Sequence, residues 1–137
     1  MKKFGKVSKL FVTGIASLAV ICSVNAAVVA TAYTFTSLGS GYNAWLSNKF
    51  TSTYDKLYSK FKSTANVNTT MTFEPFTAKV LGTSAGRVTL SNFTANVYKI
   101  GRHTSAVTGK SYYIKVTNTG NTVSGNYNII SSDVVQS

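Results

Sequence analysis

Acidic residues are nearly absent from this chain. Its 137 residues hold three, Asp55, Glu74 and Asp133, against 14 lysines and arginines, for a formal net charge of +11. A catalytic carboxylate pair would have to come from those three, and nothing in their spacing suggests that two of them meet. Histidine occurs once (His103) and cysteine once (Cys22), which is too few for a zinc site, and no EF-hand loop is present. A Ser-His-Asp arrangement would have His103 as its one base and no nucleophile elbow, and the flanking loop from Gly101 to Gly109 reads as an exposed setting for it. Glycine-rich phosphate cradles, RNA-recognition signatures and helix-turn-helix patterns are also missing, so no specific nucleic acid is expected as a partner. The expectation is a protein without catalytic residues, metal or cofactor.

What is present begins with an address. Lys2, Lys3, Lys6 and Lys9 precede an uncharged apolar run from Leu10 to Val24, and Val24-Asn25-Ala26 supplies the small residues that a signal peptidase reads. Residues 1–26 therefore read as a secretory signal peptide and 27–137 as one secreted domain. Ala30-Thr31-Ala32 is a second acceptable cleavage site. The absence of charge from Leu10 as far as Lys49 leaves open a retained anchor running through Ala32. Lipoprotein processing at Cys22 is disfavoured by bulky Ile21 before it. Cleavage would remove the only cysteine, so the exported domain is held by packing without disulfides, in keeping with a Gram-positive source. It would also remove four lysines and leave a net charge of about +7, which draws such a domain to anionic polymers or lipid headgroups.

Serine, threonine, tyrosine, valine and phenylalanine dominate the region after Ala26, a composition that fits pleated, half-buried surfaces. Thr31–Thr36 alternates as a strand. Met71, Phe73 and Phe76 mark another, with a bulge or sheet edge expected at Pro75, the only proline. Arg87–Leu90 and Phe93–Ile100 alternate again. At Tyr42–Phe61, by contrast, Tyr42, Trp45, Leu46, Phe50, Tyr54, Leu57, Tyr58 and Phe61 fall on one stripe of a 3.6-residue period, with Lys56, Lys60 and Lys62 on or beside the other face. This predicts an amphipathic helical segment at about 42–61, although Thr51-Ser52-Thr53 is poor helix material and favours a break into two short helices or a strand pair. The fold expected is mainly β: a small antiparallel β-sandwich with that one helical segment.

The clearest local pattern is C-terminal. Tyr112, Ile114 and Val116 alternate with Tyr113, Lys115 and Thr117, a turn follows at Asn118-Thr119-Gly120-Asn121, and Ser124-Gly125-Asn126-Tyr127-Asn128-Ile129 continues, which predicts a β-hairpin. This run resembles the closing hairpin of small secreted β-sandwiches such as bacterial pre-peptidase C-terminal domains. Length, leader and strand spacing are similar to those of small β-rich proteins secreted by Gram-positive bacteria. The resemblance implies a fold and supplies no activity.

Three functions fit these features. The first is a secreted, non-enzymatic cationic domain that associates with anionic cell-wall polymer or lipid headgroups. Its candidate surface is Trp45, Lys49, Phe50, Lys56, Tyr58, Lys60, Lys62, Lys99, Arg102 and Lys115. The second is a bacteriocin-like protein whose 42–62 segment disturbs membranes. The third is self-association into an extracellular matrix through the threonine-rich, nearly uncharged stretch Thr64–Thr72.

Overall fold

The structure, a computed structural model, describes residues 27–136, so the leader and its cleavage site lie outside the described residues. Eight strands follow in order: β1 (Ala27–Leu38), β2 (Tyr42–Thr51), β3 (Lys56–Ser63), β4 (Val67–Phe76), β5 (Val88–Phe93), β6 (Lys99–His103), β7 (Ser111–Asn118) and β8 (Val123–Ser132). They form two four-stranded sheets of order β1-β8-β3-β6 and β2-β7-β4-β5. Every neighbouring pair is antiparallel. Eight strands distributed in this way across two sheets make a jelly roll.

Period-two alternation decides what each strand contributes to the core. In β7, Tyr112, Ile114, Val116 and Asn118 are buried, while Ser111, Tyr113, Lys115 and Thr117 face outward. In β3, Leu57, Ser59, Phe61 and Ser63 point inward. β4 contributes Met71 and Phe73, and β8 contributes Val123, Tyr127 and Ile129. The rings meet at the centre, where Phe73 stacks on Tyr127 across the two sheets with centroids 4.3 Å apart and planes 3° apart. Phe61 meets Phe93 edge-on at 5.1 Å. Such ring pairs add about 0.5–1.5 kcal/mol each to the area they bury.

The expected helix at 42–61 is absent, and this corrects the sequence reading. The segment is β2 of one sheet, a turn at residues 52–55, and β3 of the other sheet. A spacing of four serves both periods, because residues four apart share a face on a helix and on a strand. Leu46 and Phe50 are such a pair, both buried. A bulge lengthens β2 between them, so that the step from Trp45 to Lys49 faces only the step from Lys115 to Tyr113 on β7. The break expected at Thr51-Ser52-Thr53 is the turn itself, where buried Ser52 donates its hydroxyl proton to the Tyr54 carbonyl at 3.0 Å.

The C-terminal hairpin is also corrected. β7 and β8 are not partners: β7 lies between β2 and β4, and β8 between β1 and β3. Their apolar faces oppose one another across the core instead of lying side by side, and alternation in one strand is the same in either arrangement. The connection is fixed by the buried carboxamide of Asn118, whose two Nδ2 hydrogens are shared among the carbonyls of Leu38 (3.0 Å), Gly39 (3.1 Å) and Asn121 (2.9 Å). Its Oδ1 accepts from Thr69 Oγ1. Pro75 sits in an interior strand, not at a sheet edge. Its carbonyl accepts from the Ala85 amide at 2.8 Å, so its ring nitrogen points to the same side, past the end of β5, where no ladder donor is required.

Gly125 marks the tightest approach in the core. It pairs with Phe35 on one side and Ser63 on the other, and a Cβ there would collide with the Lys62 carbonyl and lie 2.6 Å from Phe61 Cζ. Gly125→Ala is expected to lower unfolding free energy by about 1–3 kcal/mol through forced backbone displacement, measured by urea denaturation. An unchanged midpoint would show that β8 is not wedged against β3 in this way.

Candidate functional site: lysines over rings on two outer faces

With the inward side chains assigned to the core, the outward ones make two separate surfaces. On the β2-β7-β4-β5 sheet, register sets Tyr113 between Lys49 and Phe76 in one row, and Lys115 between Trp45 and Glu74 in another. Lys115 Nζ lies 5.4 Å from the Trp45 ring centre, and Trp45 meets Phe76 edge-on at 5.5 Å. Lys49 and Lys79 flank the Tyr113 ring at 5.5 and 5.1 Å. These are cation–π distances, with the rings half-buried and Lys49 and Lys79 exposed. The one carboxylate on this face, Glu74, accepts from Ser84 Oγ at 2.7 Å and from Arg87 Nε at 3.1 Å.

The opposite sheet carries the second surface. Lys60 and Lys62 of β3 lie 4.4 and 4.8 Å from the ring centre of Tyr98, which enters from the loop between β5 and β6. Partial burial and, after it, the charge of Lys62 lower the pKa of Lys60 from its ordinary value. Lys99 donates to the Ser91 carbonyl at 2.6 Å, and Arg102 lies in register with Tyr58. Lys56 contacts the Asp55 carboxylate at 3.2 Å and donates to the Asp133 carbonyl at 3.0 Å.

The ten residues expected to form one surface are thus divided. Trp45, Lys49 and Lys115 share one face, and Lys56, Lys60, Lys62 and Arg102 the other; Lys99, on edge strand β6, is tied to the Ser91 carbonyl of the opposite sheet, while Phe50 and Tyr58 are buried and offer no ring to a ligand. Three rings of these surfaces, Phe76, Tyr98 and Tyr113, and Lys79 were not anticipated. Tyr113 was visible as the outward residue between Tyr112 and Ile114. Its lysine partners come from other strands, which only the topology reveals.

His103 lies at the end of β6 and is 1% exposed, not in an exposed loop. Its Nδ1–H donates to the Gly86 carbonyl at 2.6 Å, which leaves Nε2 to accept from Ser59 Oγ–H at 2.7 Å. Ser59 in turn accepts from the Tyr127 hydroxyl at 2.7 Å. The Ser59–His103 distance suits a nucleophile and base, but both side chains are sealed in the core and the side-chain polar atoms of Ser59, His103 and Tyr127 are all engaged by one another or by the Gly86 carbonyl. Among the described residues, no group of three His, Cys, Asp or Glu side chains is placed to hold a metal ion. Burial lowers the His103 pKa from 6.5 to about 4, against the opposing pull of the Gly86 carbonyl and the Glu74 charge. Burial likewise raises that of Tyr127. Between pH 4 and 6.5 the unfolded chain binds the proton that folded His103 refuses. The neutral imidazole therefore contributes fully to stability above pH 6.5, and the contribution is lost as pH falls through 4. Over that window the fold is expected to lose about 3 kcal/mol. In His103→Gln this component of the pH dependence, followed by urea midpoints from pH 7 to pH 4, is expected to vanish; an unchanged slope would contradict the assignment.

No protein-family model matches the chain, and no curated protein matches it in sequence. Two solved structures are similar in shape. One is from Bacillus endospore appendages, described as disulfide-linked pili, with 12% identity, a TM-score of 0.45, and coverage of 83% of this chain and 95% of that one. The other is from infectious bursal disease virus, Gx strain, with 11% identity, a TM-score of 0.38, and coverage of 78% of this chain and 32% of that one. At these values the likeness carries no functional argument, and the fold assignment rests on the strand order itself.

Proposed function

We propose that this is an exported, non-catalytic adhesion domain that holds anionic polymers of a cell surface. The observation that carries this reading is the pairing of five lysines, Lys49, Lys60, Lys62, Lys79 and Lys115, with three outward rings on two opposite faces. A ring beneath an ammonium limits the wandering of a long side chain while leaving its N–H donors directed outward. Phosphates or carboxylates of a polymer meet those donors, and sugar or polyol units lie against the rings. Because the faces are on opposite sides of the sandwich, one domain can bridge two polymer chains, and bridging multiplies the strength of weak contacts.

The two segments named for the rival readings do not serve them, and self-association would have to use a sheet edge other than β4. Membrane disturbance by an amphipathic 42–62 helix has no helix to act through. Thr64–Thr72 leads into β4, which is bonded by β5 on one side and β7 on the other and offers no free edge.

Binding to purified cell walls, or to a soluble polyphosphate, is expected to weaken steeply with salt and to vanish near about 1 M, where charges are screened beyond about 3 Å. Lys60→Glu with Lys62→Glu, or Lys49→Glu with Lys115→Glu, should each weaken binding about tenfold or more. The two pairs together should abolish both binding and polymer cross-linking, read as turbidity. Retention that high salt leaves intact would refute the proposal.

A further inference from the structure

Between β4 and β5 the chain makes a tight excursion. The Thr77 amide donates to the Thr83 carbonyl at 3.0 Å, and the Thr83 amide donates to Thr77 Oγ1 at 2.8 Å. Gly82 is pressed so closely on the Ala78 backbone that no Cβ fits. The closed loop holds two aliphatic side chains out into water: Val80 is 77% exposed and Leu81 is 101% exposed. Leu81 also adopts a left-handed φ of 56°, which a branched apolar residue rarely does. Two unfavourable features, solvent exposure and backbone strain, thus coincide at one rigid tip, a combination associated with functional sites.

The surroundings of the tip indicate what it meets. Lys79 beside it lies over Tyr113, which shares its face with Lys49, Phe76, Trp45 and Lys115. At the same end of the sandwich are the β6–β7 loop, with Val107 52% exposed, and the C-terminal tail, with Val135 73% exposed. β1 also starts from this end, since Ala27 pairs with Ser132 and Ser132 with Lys56 after the 52–55 turn. A hydrophilic polymer gives Val80 and Leu81 nowhere to leave water. The headgroup boundary of an anionic bilayer supplies hydrocarbon for aliphatic tips and phosphate for lysines within a few ångströms of one another.

We infer that the Val80–Leu81 tip, with Lys49, Lys79 and Lys115 behind it, docks the domain on an anionic phospholipid surface. This rests on the anion-binding reading and names one occupant for one of its two faces. The docked tip lies in the headgroup boundary without crossing the bilayer.

The experiment co-sediments the exported protein with vesicles of phosphatidylglycerol and phosphatidylcholine, or of phosphatidylcholine alone, and measures soluble polyphosphate binding in parallel. The wild type is expected to sediment with the anionic vesicles and to leave the neutral ones, with a blue shift of Trp45 emission. Val80→Ser with Leu81→Ser is expected to lower vesicle partition about tenfold or more and to leave polyphosphate binding unchanged. Equal partition of variant and wild type would overturn the inference. Polyphosphate binding without vesicle binding would also overturn it and leave a wall polymer as the ligand of both faces. Loss of both in the wild type would refute the broader reading as well.

Discussion

Antiparallel pairing of β3 with β8 and of β7 with β4 is the constraint from which the rest follows. Once Phe61 stands beside Tyr127 and Val116 beside Phe73, every second residue is committed to the space between the sheets. The intervening ones, Lys60, Lys62, Tyr113 and Lys115, are committed to solvent. A one-residue slip in either pair would bring lysines into an aromatic core, where an unpaired charge is strongly disfavoured. The register is therefore enforced by both the rings and the lysines. The cationic surfaces are the complement of a core built on strict alternation.

Two buried polar clusters make that core specific. Asn118 ties the β1–β2 connection, β4 and the β7–β8 connection together at one end. The chain from Tyr127 through Ser59 and His103 to the Gly86 carbonyl ties β8, β3 and β6 to the β4–β5 loop toward the other. Each satisfies donors and acceptors that would otherwise be destabilising in an apolar interior. The described domain contains no cysteine, so these clusters and the stacked rings do the cross-linking that disulfides perform in many exported domains.

Much of the fold was legible because period two is a local signal. The strands around Tyr33, Phe73, Leu90 and Ile114 were visible in the chain, and so was the sandwich of antiparallel sheets. Failure came where two structures share one pattern. Leu46 and Phe50 satisfy a helix and a bulged strand alike, and Tyr112–Val116 followed by Tyr127–Ile129 reads equally as a hairpin or as strands facing each other across a core. His103 was misplaced for a different reason: its partners, Ser59 and Tyr127, are distant in sequence, and no local feature marks a histidine that completes a buried chain. The candidate surface was legible as a list of lysines and rings. Its division into two faces required the topology.

The most direct test of the central claim is a titration of the protein with soluble polyphosphate, followed by NMR of its lysine ammonium and aromatic ring signals. Perturbations are expected at Lys49, Lys60, Lys62, Lys79 and Lys115 and at Trp45, Tyr98 and Tyr113, on both faces, with Phe61, Phe73 and Tyr127 silent and the changes reversed by salt. Perturbations confined to other residues, or none at all, would contradict the account.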